Sequence, residues 1–175
     1  MERQSHGFDY QKEVTKKLNI VESKGYTDKW DGYLNGFPVS IKTEKLNSDI
    51  EMADYFRISS VTEDFYLIVG FWDGEKTNIV DERILFIKGS EFNSLFNPIF
   101  ETKFRHLLAS VTNDKSDDEK WTTMRKELTA EYKQLTPNLV RPRFKRDHKT
   151  QKRIQCAINN KDFYNYFVKK YEVKI

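Results

Sequence analysis

One cysteine, Cys156, in 175 residues leaves no internal disulfide to be made and fits a reducing compartment. Histidine is scarce too. His6, His106 and His148 are scattered, and with a single cysteine they offer no spacing for a zinc cage. Long apolar runs are missing: the longest, Phe65 to Trp72, is far too short to span a bilayer. The opening Met-Glu-Arg-Gln-Ser-His has neither the apolar core of a signal peptide nor the pattern of a transit peptide. There is no repeat, no low-complexity tract and no linker. Apolar residues reach only 38%, but Phe, Tyr and Trp at 14% can fill a core. These absences lead to the expectation of a single soluble, cytoplasmic domain over 1–175 with no membrane contact.

The net charge of +3 conceals an asymmetry. Residues 141–175 hold 11 Lys/Arg against 3 Asp/Glu, whereas residues 1–140 hold 19 against 24. A basic end on an acidic body matches a polyanion-binding surface beside a metal-binding site. The plain alternative is a solvated basic tail.

Along the chain, Tyr10, Val14 and Leu18 predict a helix over 8–18. Asn35-Gly36 predicts a hairpin turn within about 27–45. Ser48 with Glu51 reads as a capping box opening a helix to about Ser59. The run Phe65–Trp72 has the length and composition of a central strand buried on both faces. A short strand is expected at 84–87 and a helical turn at 92–96, closed by Asn97-Pro98; Phe104, Leu107 and Leu108 hint at helix within 99–110. Ser116 to Glu119 reads as a second capping box, opening a long helix with Trp121, Met124, Leu128, Tyr132 and Leu135 on one stripe. Residues 139–148 look basic and irregular around Pro142. In 151–159, Lys152, Ile154, Cys156 and Ile158 alternate with Gln151, Arg153, Gln155, Ala157 and Asn159, a strand pattern. The element order predicts an α/β (α+β) fold with one mixed central sheet flanked by helices.

The hairpin carries the chemistry. Asp31 falls on its first strand, and Ser40, Lys42 and Glu44 share one face of its second. An acid and a lysine side by side on adjacent strands can hold a divalent metal and stabilise charge on a phosphate. Taken alone, the pair could equally be a cross-strand surface ion pair worth about 1 kcal/mol or less.

Trp30-Asp31-Gly32 and Val39-Ser40-Ile41-Lys42, with a helix before and a helix and buried strand after, resemble the PD-(D/E)xK nuclease superfamily over residues 7–72. That superfamily includes type II restriction endonucleases and Holliday-junction resolvases. The resemblance implies a restriction-endonuclease-like core, Mg²⁺ as cofactor, hydrolysis leaving 5′-phosphate ends, Asp31 as metal ligand and Lys42 as catalytic residue. Ser40 stands where the second acid of the motif belongs. In some restriction enzymes of the superfamily the following helix supplies that carboxylate, which here points to Glu51 first, then Asp54, then Glu44. In the first helix, His6-Gly7-Phe8-Asp9-Tyr10 is followed by Gln11 where related nucleases often carry an acid, so Gln11 or Glu13 is expected to support the site.

At the basic end, a DNA-recognition segment is expected over 139–160. Arg141, Arg143, Lys145, Arg146, His148, Lys149 and Lys152 suit phosphate contacts. Arg153 and Gln155 have the chemistry that reads guanine and adenine edges in the major groove. An amphipathic edge strand is the competing reading of the latter pair. The expected function is a type II restriction enzyme, a homodimer on duplex DNA with a short palindromic, GC-rich interrupted site. Its rivals are a junction resolvase or repair nuclease on the same core, and a non-catalytic DNA-binding protein with a decayed nuclease core.

Overall fold

The structure is a computed structural model that describes residues 2–23, 29–74, 78–135, 138–146 and 151–175, apart from the side chains of residues 2–6 and 8. In chain order come α1 (Glu2–Lys17), β1 (Val21–Glu22), β2 (Gly32–Leu34), β3 (Phe37–Lys45), β4 (Ile50–Asp54) and α2 (Tyr55–Ser59). Next are β5 (Phe65–Trp72), β6 (Ile79–Ile87), α3 (Gly89–Asn93), α4 (Pro98–Ser110) and α5 (Asp118–Tyr132). The chain continues with β7 (Val140–Arg146) and β8 (Lys152–Ile158). Last come α6 (Asn160–Asp162), a π-helical segment Phe163–Val168 and α7 (Lys169–Tyr171).

Asn35 and Gly36 both take positive φ, 52° and 83°, as a two-residue hairpin turn requires. They fold β2 onto β3 with Gly32 opposite Val39 and Leu34 opposite Phe37. The main sheet runs β1-β2-β3-β5-β6; β3 and β5 are parallel, and the other neighbours antiparallel. β5 is buried on both faces because its neighbours cover both edges and helices cover both sides. On one face Tyr10 and Val14 of α1 pack with Val39, Ile41 and Ile68. On the other, Leu67, Val69 and Phe71 join a larger core with α2, α4, α5, β8 and the C-terminal helical stretch. Gly70 is required there: a Cβ would lie 2.4 Å from the Tyr10 ring.

The expected mixed sheet flanked by helices is present, and a second sheet accompanies it. It is antiparallel, in the order β4-β8-β7. Residues 50–54 are therefore strand, not the start of a helix. Ile50 and Met52 point inward with a period of two, and β4 pairs with β8 across more than 100 residues of chain. The helix starts later, and its cap is Asp54, whose Oδ1 accepts from Phe56 N at 3.0 Å and Arg57 N at 3.1 Å. Residues 140–146 are likewise strand. Pro142 is tolerated because β7 is an edge strand, where one N–H fewer breaks no ladder. Asn97-Pro98 opens α4 instead of closing a turn, with Asn97 accepting from Ile99 N. At α5 the expected capping box is not made; the Asp117 carboxylate reaches back to Thr112 N and Oγ1. Among the described residues no helix is long and apolar enough to cross a membrane.

Candidate functional site

The twist of the β2–β3 hairpin and the crossover through β4 and α2 leave a cleft of about 190 Å³ on the face of β3 away from α1. Asp31, Ser40 and Lys42 of the hairpin line it, with Lys29 and Trp30 before them and Arg57 of α2 opposite; Phe65 and Phe92 are among its apolar walls. Asp31 is held from two directions. Its N–H donates to Val39 O at 2.9 Å, and its Oδ2 accepts from Ile41 N at 2.7 Å. The carboxylate thus takes a place in the ladder where the strand would otherwise offer a carbonyl. Ser40, only 6% exposed, lies directly beside it on β3. Lys42 follows two residues on, on the same face of the strand.

Asp31 and Lys42 line one cleft without forming an ion pair, and among the described residues no carboxylate or hydrogen-bond acceptor engages the Lys42 ammonium. The cross-strand ion pair that the sequence also allowed is not made. A further anchor, absent from the sequence expectations, is Glu63. Its Oε1 accepts from Trp30 Nε1 at 3.0 Å and Lys29 Nζ at 3.2 Å, and its Oε2 from Thr62 N. Partial burial acts to raise the Glu63 pKa, but these donors together hold it below the ordinary range. Trp30 also packs its ring at a tilt against Phe65, centroids 5.1 Å apart, so the residue preceding Asp31 is fixed at both ends. Glu63 and Arg57 carry no motif; only the fold sets Glu63 against Lys29 and Trp30 and brings Arg57 to the cleft.

The carboxylates proposed to complete a metal site are placed elsewhere. Glu51 points to the second sheet, where Oε2 meets Lys145 Nζ at 2.9 Å. Asp54 caps α2. Neither lines the cleft, and the helical spacing thought to align them does not exist, because both are on β4. Glu44 accepts from Glu51 N at 2.9 Å, and burial pushes its carboxyl up to about 7. Gln11 and Glu13 belong to α1, which packs on the opposite face of the sheet, and neither lines the cleft. Among the described residues no three His, Cys, Asp or Glu side chains gather into a metal-binding group. Among the described residues that line the cleft, Asp31 is the one carboxylate. Mg²⁺ keeps several waters and takes as few as one or two protein carboxylates, so Asp31 meets the minimum for it.

The basic strands form a second region. Register places Arg153 opposite Lys145 and Gln155 opposite Arg143, so these side chains share one face of the β4-β8-β7 sheet with Arg141. Acids temper this face: Arg141 pairs with Asp162 at 2.9 Å, Arg143 with Asp49, Lys145 with Glu51 and Arg146 with Asp118. Arg153 and Gln155 are half-buried on β8, the central strand of its sheet, not an edge. Lys152 departs from expectation. Its side chain is 1% exposed, and its ammonium donates to Thr112 O at 2.6 Å and Asp114 O at 2.7 Å, so it is a buried tie and not a surface phosphate contact. His148 and Lys149 lie outside the described residues.

No family model, no curated protein and no solved structure matches the chain.

Proposed function

We propose that this protein is a Mg²⁺-dependent DNA endonuclease with a restriction-endonuclease-like core, most similar in design to a small type II restriction enzyme. The observation that carries the reading is that Asp31, just before β2, and Lys42 of β3 line one cleft without forming an ion pair. A surface ion pair would close; an acid and an ammonium kept apart leave room for a phosphodiester and its attacking water.

In this reading Asp31, held rigid by Ile41 N, would be the residue that holds Mg²⁺. The metal, when bound, supplies Lewis acidity at the scissile phosphate. Lys42 orients the attacking water and offsets the negative charge that develops on the phosphoryl oxygens. Ser40 contributes a hydroxyl beside Asp31. Trp30, Phe65 and Phe92 limit water access from the apolar side. The cationic face of β7 and β8 contacts duplex DNA, with Arg153 and Gln155 reading base edges. One cleft cuts one strand, so a double-strand cut at a palindromic site calls for a two-fold homodimer.

A second reading, a DNA-binding protein with a decayed nuclease core, is favoured by one observation: Glu51 and Asp54 are engaged away from the cleft. Digestion of sequenced phage DNA with Mg²⁺, with Mn²⁺ and with chelator separates the two. The expected result is cutting at fixed positions that needs metal, and that Asp31→Ala abolishes while DNA binding persists. Binding without cutting under every metal condition would leave only the second reading.

A further inference from the structure

A groove of about 610 Å³ runs between α5 and β7 and shares no lining residue with the Asp31 cleft. It exists because α5 is anchored beside the free edge of β7 at two points. Trp121 meets the Phe144 ring at 6.0 Å, and Tyr132 Oη donates to Val140 O at 2.7 Å. Between these anchors the helix face and the strand diverge. Arg125, Thr129 and Lys133 recur four residues apart on α5, with Lys126 one position round, so they form a single stripe toward the strand. Arg143 and Lys145 line the opposite wall, and Phe144 also lines the groove. Among the described residues, five cations therefore line this groove, and no carboxylate does.

The two walls differ. Arg143 and Lys145 are tethered to Asp49 and Glu51. The side chains of Arg125, Lys126 and Lys133 have no ion-pair or hydrogen-bond partner among the described residues, although Glu127 and Glu131 neighbour them in sequence; Glu131 pairs with Lys103 instead. The Nε of Arg125 is buried without an acceptor.

We infer that this groove binds the phosphate backbone of a nucleic acid strand, as a contact surface separate from the Asp31 cleft that extends the cationic face of β7 and β8 onto α5 through Arg143 and Lys145. Opposed cationic walls along a trough suit a linear polyanion; a flat lipid headgroup plane would reach only its rim. From Arg125 to Lys133 the helix rises about 12 Å. Over that length a DNA strand presents about three or four phosphates at about 3.4 Å each. The inference adds a substrate-holding surface to the proposed nuclease, but it concerns binding and is tested without cleavage.

The test is fluorescence anisotropy of a labelled duplex and a labelled single strand of the same sequence, in chelator, across a salt series. The variant Arg125→Ala/Lys126→Ala/Lys133→Ala is compared with Lys12→Ala/Lys16→Ala/Lys174→Ala, which removes the same three charges from surfaces away from the groove. The groove variant is expected to weaken binding at least roughly tenfold at low salt and to lower the slope of log K against log salt by about 2–3, at about 0.9 per phosphate contact. The control is expected to keep its slope. Loss on the duplex or on the single strand identifies which form the groove holds. Should the triple variant unfold by circular dichroism, Lys126→Gln/Lys133→Gln, which keeps Arg125, is expected to lower the slope by about 1–2. Equal slope changes in groove and control variants, unchanged slopes in both, or groove-dependent binding of anionic vesicles in preference to DNA would each overturn the inference. Unchanged slopes with intact metal-dependent cutting refute the groove alone; lost cutting in Asp31→Ala with a lowered slope in the groove variant supports both readings independently.

Discussion

Asp31 shows how little freedom a side chain needs to lose before it becomes useful. One backbone N–H fixes its carboxylate beside β3, and Glu63 fixes the residue before it through the indole N–H. Glu44, two residues beyond Lys42 on the same strand face, has the opposite character. Its carboxyl is buried and faced by the Glu51 carboxylate, with Lys42 and Lys145 only partly compensating, so it rises from about 4.5 to about 7. A carboxyl whose pKa is higher in the folded than in the unfolded chain favours folding fully below the unfolded value, and that contribution is lost as pH rises toward about 7. Glu44→Gln keeps an acceptor for Glu51 N and removes the ionisation. Urea unfolding is therefore expected to find Glu44→Gln more stable than the wild type at pH 8 by about 1–3 kcal/mol, with a much smaller difference at pH 5. A difference independent of pH would show that Glu44 is ionised normally.

The short helix α2 decides whether Arg57 reaches the cleft, and its start depends on Asp54. Asp54→Ala removes both cap hydrogen bonds and is expected to cost about 0.5–2 kcal/mol in thermal or urea unfolding, while Asp54→Asn, which caps nearly as well, costs little. The same pair tests the role first expected of this residue. If Asp54→Asn kept full stability but lost metal-dependent cleavage, Asp54 would be a metal ligand after all. The misreading of this stretch has a physical cause. Ser48 and Glu51 stand at capping-box spacing, but Ile50 and Met52 alternate inward, and β8 supplies backbone partners that a helix would leave unused. The hairpin before it was legible because Asn35-Gly36 is a local signal whose two positive φ angles need no distant partner. Helix α5 was legible for a similar reason, since Trp121 and Tyr132 lie on one stripe of its own surface.

At the scale of the molecule, polar ties fasten the second sheet to the segments packed around it. Lys152 is the most buried: its ammonium reaches Thr112 O, Asp114 O and Asp118, joining β8 to the start of α5. Lys152→Met leaves these acceptors without a donor and is expected to destabilise the protein by about 2–4 kcal/mol in urea unfolding, with the salt dependence of DNA binding unchanged. A stable variant with a reduced salt slope would instead restore Lys152 to the phosphate-contacting set. Asp49 is a second tie, accepting from Asn159 Nδ2, Asn160 N and Arg143 and so fastening the end of β8 to the segment before β4. These contacts cross about 40 to 110 residues of chain, and no short window of sequence contains both partners.

What the sequence determined by itself was whatever local chemistry settles alone: the Asn-Gly hairpin, the doubly buried Phe65–Trp72 strand, the stripe of α5, and Ser40 and Lys42 on one face of β3. Only the tertiary structure decided which strands pair. That choice added a second sheet to the mixed one expected, turned residues 50–54 and 140–146 into strands, carried Glu51 away from Asp31, set Glu63 against Trp30 and brought Arg57 to the cleft. Periodicity reports the face a residue turns to its own neighbours; the identity of what lies across that face depends on contacts between distant segments, which form only when the core closes.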